Sequence, residues 1–206
     1  RKAWTSFYRR LIKTSEFYRF QKSICVGKQL LASCLFIKIF TCHARLTRGK
    51  EKQHHDCFRK LARLGLSLPE APKGVGNYEA WVRTGNLVMT SGQVAWVDGV
   101  LQYPGRLGEN VSDEDGYQAA RLSALNGIAQ LQAATGDLEK VRQIVRIEGC
   151  VHCAPGYRGH PQVLNGASDL VNDVFGPRGR HTRTSLGIAD MPLDACVMLM
   201  FWAEVE

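Results

Sequence analysis

Residues 196–205 are apolar on both faces of a strand, and that pattern constrains the fold more than any other stretch. With a side-chain period of two, Val197, Leu199, Phe201, Ala203 and Val205 share one face, while Cys196, Met198, Met200 and Trp202 share the other. A strand with two apolar faces belongs inside a sheet that is covered on both sides. The chain itself can supply one cover, since two strongly patterned helices precede this strand. For the other face the pattern predicts another subunit.

The first of those helices is bounded at both ends. Ser112 is placed as its N-cap, and Asp113, Glu114 and Asp115 suit the positive end of the helix dipole. Tyr117, Ala120, Ala124, Ile128 and Leu131 recur at steps of three and four, and Gly136 provides the stop. A second helix is predicted over 161–175, with Leu164, Ala167, Val171 and Val174 on one face and Gly176-Pro177 ending it. Strands are predicted over 141–151, 182–189 and 195–205. Upstream, strands over 80–82 and 87–90 flank the turn Thr84-Gly85-Asn86. Asp98-Gly99 supplies the positive φ angles of a two-residue hairpin between 94–97 and 100–103. Phe58, Leu61, Leu64 and Leu66 predict a short helix ending near Gly65, followed by a loop rich in proline and glycine. Hairpins, helix, strand, helix, strand, strand is the order of an α+β sandwich with its helices on one sheet face.

Charge sets the first quarter of the chain apart. Residues 1–50 hold 12 lysines and arginines against one acid, Glu16, a net +11; residues 51–206 hold 15 against 18 acids, a net −3. We therefore expect residues 1–52 to be a basic N-terminal extension, poorly ordered or artefactual, and residues 53–206 to be the folded domain. The apolar stretch 24–42 is broken by Lys28, Gln29 and Lys38, so it does not read as a membrane span. A basic, acid-poor leader is similar to a mitochondrial presequence. Seven cysteines, odd in number and irregularly spaced, read as free thiols in a reducing compartment. The expected location is cytoplasmic, or mitochondrial if the leader is a genuine presequence. The acidic balance of 51–206 gives the domain no bulk electrostatic reason to seek nucleic acid.

Few residues carry chemistry. Arg183, Ser185 and Gly187 share one strand face, and the planar fork of an arginine suits a carboxylate. The alternative for Arg183 is a surface or interface salt bridge. Gly92 in Ser91-Gly92-Gln93 lets a ligand approach the backbone, or else marks a bulge or turn. Cys150-Val-His-Cys153 has no second ligand pair in residues 51–206, and its cysteines point to opposite strand faces, so no metal site is expected. Walker, dinucleotide-binding, HExxH and GxSxG motifs are absent.

Five runs carry a resemblance: Leu68-Pro-Glu-Ala-Pro-Lys-Gly-Val-Gly-Asn-Tyr78, Arg83-Thr-Gly-Asn-Leu-Val-Met-Thr-Ser-Gly-Gln93, Gly116-Tyr-Gln-Ala-Ala-Arg121, Val163-Leu-Asn-Gly-Ala-Ser-Asp169 and Arg183-Thr-Ser-Leu-Gly-Ile-Ala-Asp-Met-Pro192. Together they make roughly residues 57–206 resemble the YjgF-type family, the Rid (reactive intermediate deaminase) family also labelled endoribonuclease L-PSP. The resemblance implies a chorismate-mutase-like (Bacillus-type) α+β fold, a mixed sheet with two helices packed on one face, assembled as a homotrimer with clefts between subunits. It implies hydrolysis of reactive 2-imino or 2-enamino acids to 2-keto acids and ammonia, with no cofactor and no metal. The partners it implies are a small carboxylate substrate and the other subunits, not a membrane or a specific nucleic acid. Carried over by residue, Arg183 clamps the substrate carboxylate and is the catalytic candidate. Tyr78 lines the cleft, the Gly92 backbone contacts substrate, Asn165 is the family's cleft asparagine, and Ser185 stands where cysteine is common. The departure is Met198, at the position of a glutamate that positions water, with Met200 where a second acid is common. Methionine neither accepts a proton nor orients hydroxide. A non-catalytic trimer binding small carboxylates is therefore the alternative, and an endoribonuclease-type activity a further one.

Overall fold

The structure is a computed structural model describing residues 56–206. The expected extension 1–52, with its apolar stretch and presequence-like leader, lies outside the described residues.

Helix α1 (Asp56–Arg63) precedes two hairpins, β1 (Trp81–Thr84) with β2 (Leu87–Thr90), and β3 (Trp96–Val97) with β4 (Val100–Leu101). Then come α2 (Asp113–Thr135), β5 (Val141–His152), α3 (His160–Phe175), β6 (Thr182–Ile188) and β7 (Val197–Val205). The main sheet has the order β1-β2-β7-β5-β6, with β3-β4 as a separate pair. All its neighbours are antiparallel except β5 and β6, which run parallel. The α3 crossover demands this, because a parallel pair cannot be closed by a tight turn. The result is a mixed α+β sheet with α2 and α3 on one face, and the short α1 docked beside α3.

Local signals act as the sequence predicts. The Ser112 hydroxyl accepts from the Asp115 amide at 3.1 Å, and Gly136 closes α2 with φ 70° while its N–H donates to Gln132 O. Asp98 and Gly99 take φ 49° and 78° in their hairpin. One expectation is corrected: α1 turns Cys57 and Leu61 inward and leaves Phe58 39% exposed. Positions 57 and 61, four residues apart, share the inward face.

α2 is buried on far more than the predicted stripe. Every residue from Ser123 to Leu131 is buried, including Asn126 and Gln130. The close approach depends on small residues: a Cβ on Gly127 would lie 2.3 Å from the Phe201 ring, so Phe201 of β7 packs directly on the helix backbone. The buried amides serve loops on the other side. Asn126 Nδ2 donates to Val94 O at 2.8 Å and Trp96 O at 3.1 Å, and Gln130 Nε2 donates to Pro72 O at 2.6 Å.

β7 divides as its alternation requires from Val197 onward, whereas Cys196, expected on the open face, precedes the strand and is buried in the helix-side core. Val197, Leu199, Phe201, Ala203 and Val205 are in the core beneath the helices, while Met198, Met200 and Trp202 on the open face are only partly buried. That open face also carries Arg146, which reaches over the Trp202 ring at 5.9 Å and donates to Thr184 Oγ1 at 2.5 Å. Among the described residues no helix is long and apolar enough to cross a membrane.

Candidate functional site

Two clusters contain the sequence-predicted site residues. The first is where β6, an edge strand, runs beside α3. Arg183 pairs with Ile147 in the β5–β6 register and Ser185 with Gly149, which places both side chains on the helix face. α3 supplies the seat: Arg183 Nη1 donates to Asn165 Oδ1 at 3.1 Å and Ser168 Oγ at 2.9 Å, and Nη2 donates to Pro161 O at 3.1 Å. All three acceptors are neutral, and among the described residues Arg183 forms no ion pair. Within this chain the surface salt bridge is therefore not formed, and the cation is seated on dipoles instead. Burial pushes its pKa down and Asp169 pushes it back up, and a guanidinium stays charged throughout.

The network beneath Arg183 has one consistent proton arrangement. His181 Nδ1 lies 2.6 Å from Gly179 O, so Nδ1 carries the proton. Burial lowers the His181 pKa and favours the neutral ring, whose Nε2 then accepts from Ser168 Oγ at 3.0 Å. Ser168 thereby turns its lone pairs to Arg183. The guanidinium is oriented by this chain before any ligand arrives.

The second cluster lies on the open face, near the junction of β2 and β7. Met89 pairs with Trp202, yet Gln93 pairs with Leu199, so one extra residue is accommodated on the β2 side. Gly92 lies in this bulge, as the bulge reading of this glycine expects. A Cβ there would fall 2.4 Å from Met198 Sδ, so the methionine packs onto the glycine backbone. Tyr78, 51% exposed, and Ser91, Trp96 and Leu193 complete the walls of a cleft of about 150 Å³ floored by Met198. Among the described residues no aspartate or glutamate lines it, and the charged lining residue is Lys73.

Within one chain the two clusters do not meet. They occupy opposite sheet faces, and β7 and β5 intervene between Gly92 and β6. Three strand spacings of about 4.8 Å separate them by roughly 14 Å. The structure thus joins Arg183, Asn165 and Ser185, and separately joins Tyr78, Gly92 and Met198.

The cysteine motif is divided likewise. Cys150 is part of the open-face apolar cluster, while Cys153 lies on the helix side with its Sγ 3.3 Å from His160 Nε2. Burial raises the pKa of both, and pushes Cys57 and Cys196 up to about 12, so all four remain thiols. Among the described residues no three histidine, cysteine, aspartate or glutamate side chains converge as a metal site.

One element of the cleft had no sequence signal beyond Pro192. Leu193 and Asp194 are consecutive left-handed residues, with φ 64° and 57°. That conformation costs roughly 1–2 kcal/mol per residue for side chains bearing a Cβ. Surrounding groups hold it: Gly105 N donates to Asp194 O at 2.7 Å, and Arg106 donates to Ala189 O at 2.9 Å and to His152 Nε2 at 3.2 Å. His152 is 5% exposed, with Nδ1 3.5 Å from Asp194 Oδ1.

A family model described as "YjgF/chorismate mutase-like, putative endoribonuclease" matches residues 59–205. Protein TCP17 of Trypanosoma cruzi is 39% identical over 138 residues, which is 66% of this chain and 86% of that protein. A crystal structure of a "putative endoribonuclease" from Shewanella oneidensis is 40% identical with a TM-score of 0.71, covering 72% of this chain and 99% of its own. A protein of unknown function from Agrobacterium tumefaciens, 34% identical, also superposes with a TM-score of 0.71, over 76% of this chain and 96% of its own.

Proposed function

Since the chain belongs to the YjgF/Rid family, of the chorismate-mutase-like fold, we propose that it hydrolyses small 2-imino or 2-enamino acids to 2-keto acids and ammonia, in clefts formed between copies of itself in a homotrimer. The observation that carries this reading is Arg183. A guanidinium seated on three neutral oxygens, with no ion pair among the described residues, supports a carboxylate-binding role. The second observation is the separation of the two clusters. One copy offers Arg183, Asn165 and Ser185, and a neighbour offers Tyr78, Gly92 and the cleft. The apolar open face of β7 is the surface that the neighbour covers.

Arg183 takes the substrate carboxylate in its fork, and this anchors the C=N carbon beside the Gly92 backbone. Water adds to that carbon and the resulting amino alcohol expels ammonia, leaving the 2-keto acid. The Tyr78 hydroxyl and the backbone around Gly92 are the groups that can orient the water. Hydrolysis of a protonated imine needs little more than orientation, so a strong base is not required. Neither a cofactor nor a metal takes part.

Met198 favours a second reading, a non-catalytic trimer that binds small carboxylates, because among the described residues no carboxylate lines the cleft. Ribonuclease action has less support, since residues 51–206 carry net −3. Ammonia release from freshly generated imino acids decides between the first two: turnover that Arg183→Ala abolishes supports the deaminase, and decay at the buffer rate supports the binder.

A further inference from the structure

Two glutamines are buried behind the cleft. Gln130 of α2 is 1% exposed, and Gln93, just past the bulge, is 5% exposed. A carboxamide removed from water costs free energy unless its hydrogen bonds are made, so the partners of these two matter. Gln130 Nε2 gives one hydrogen to Pro72 O at 2.6 Å and the other to Gln93 Oε1 at 3.2 Å. Turned over, this amide would set its oxygen against the Pro72 carbonyl, so its orientation is forced. Gln93 must then offer Oε1 to Gln130, and its own Nε2 donates to Ser91 O at 3.2 Å and Ser91 Oγ at 3.4 Å. The Ser91 hydroxyl in turn donates to Ala80 O at 3.1 Å, and the Ser91 N–H donates to the same oxygen at 2.9 Å. The donors run one way, outward from α2.

This chain of hydrogen bonds reaches both ends of one loop. Pro72 and Ala80 are half-buried, whereas residues 73–79 between them are all exposed and include Gly74, Gly76 and Tyr78. Burial does little to fix so glycine-rich a segment, and its position is set where its ends are held. Gln130 holds the Pro72 end directly and the Ala80 end through Gln93 and Ser91. The same chain brackets Gly92, whose two neighbours are Ser91 and Gln93. Gln93 is fixed further by its backbone pair with Leu199 of β7, at 2.8 and 2.9 Å.

We infer that Gln130 is a positioning residue for this cleft, acting through Pro72 and Gln93 to hold the Tyr78 loop and the Gly92 backbone in register with each other. The inference rests on the deaminase reading of the same site. There Arg183 of another copy binds the carboxylate, while the Tyr78 hydroxyl and the Gly92 backbone orient the water. Displacing the second pair therefore lowers kcat and spares KM.

The test uses the full chain with Gln130→Met, which keeps the size and removes both donors, and Gln93→Met, which cuts only the arm to Ala80. kcat and KM are measured on the imino acid generated in place from methionine. Trypsin cleavage after Lys73, inside the loop, is followed by mass spectrometry on the same preparations. Gln130→Met should lower kcat roughly tenfold or more with KM within about threefold, since a misplacement of about 1 Å can cost 10²-fold. Cleavage after Lys73 should become roughly fivefold faster while cleavage after Arg146 in β5 is unchanged, because only the loop is released. Gln93→Met should show the same pattern at smaller size, and the double variant should lose less than the product of the two single losses. The inference is overturned by a lower Tm with kcat per folded molecule unchanged, by a rise in KM alone, by Lys73 cleavage at the wild-type rate, or by multiplicative losses. If Gln130→Met does not fold, Gln93→Met decides on the same readouts. If wild type turns over no imine, the deaminase reading fails, and pyruvate binding by calorimetry replaces kcat. Faster Lys73 cleavage with roughly fivefold weaker pyruvate binding then supports the positioning role. Unchanged cleavage, or binding that is unaltered or undetectable, overturns it.

Discussion

Arg183→Ala separates a binding arginine from a structural one. In the proposed complex the fork makes two charge-assisted hydrogen bonds to the substrate carboxylate, each worth roughly 1.5–3 kcal/mol. Losing both removes about 3–6 kcal/mol, and at about 1.4 kcal/mol per factor of ten kcat/KM should fall roughly 10²- to 10⁴-fold. The fold should barely respond. The three oxygens that seat Arg183 are neutral and sit at the edge of the sheet, so water replaces the guanidinium once it is removed. The expected loss of stability is about 1 kcal/mol, a shift in Tm of roughly 2–4 °C for a domain of this size. Arg183→Lys keeps the charge and loses the fork, and should fall between wild type and alanine. Ammonia release and thermal denaturation on the same preparations are the assay. An alanine variant with kcat/KM within threefold of wild type would refute the carboxylate clamp. One that unfolds 10 °C lower would show that Arg183 is structural.

Further tests address other residues. Met198→Glu places a carboxylate at the cleft floor; a rise in kcat on imino acids is expected, and burial should put the apparent pKa of the new base above the ordinary glutamate range in the pH–rate profile. Gly127→Ala drives a methyl to 2.3 Å from Phe201, and a loss of roughly 1–3 kcal/mol should appear as a lower urea midpoint. Cys57 and Cys196 are held as thiols with pKa values raised from 9.0 to about 12. The folded state therefore retains protons that the unfolded state releases above pH 9. Their contribution is complete below pH 9 and is lost as pH rises from 9 towards 12, by about 1.4 kcal/mol per pH unit for each thiol. Urea unfolding across that range should show the slope, and Cys196→Ala should reduce it by one proton's worth.

The fold was legible where the signal is local. A capping serine, three acids and a left-handed glycine bound α2 because orphan amides, the helix dipole and αL sterics act within a few residues. Asp98-Gly99 sets its hairpin for the same reason. Legibility ended where burial depends on distant partners. Asn126 and Gln130 lie outside the predicted apolar stripe, yet both are buried donors to the carbonyls of Val94, Trp96 and Pro72. Those acceptors lie 30 to 58 residues away, and no periodicity can name them. Phe58 was misread because periodicity allows either position 57 or 58 to join Leu61 on one face, and the packing of α1 against the rest of the domain selects Cys57.

The candidate site divides the same way. Arg183 stood out as a charge in a strand, and the motif resemblance marked Tyr78, Gly92, Asn165 and Ser185. By itself the sequence determined the alternation of β7, the bounds of α2 and α3, and the residue types available for chemistry, because those follow from side-chain period and backbone sterics. Only the tertiary structure decided which face each group occupies. The parallel β5–β6 pair closed by α3 seats Arg183 on Asn165 and Ser168. The intervening strands part that seat from Gly92 by roughly 14 Å. The loop pinned by Arg106 and His152 forces Leu193 into a conformation that its own residue type disfavours. Each outcome is set by contacts between segments far apart in the chain, whose energies outweigh local preference.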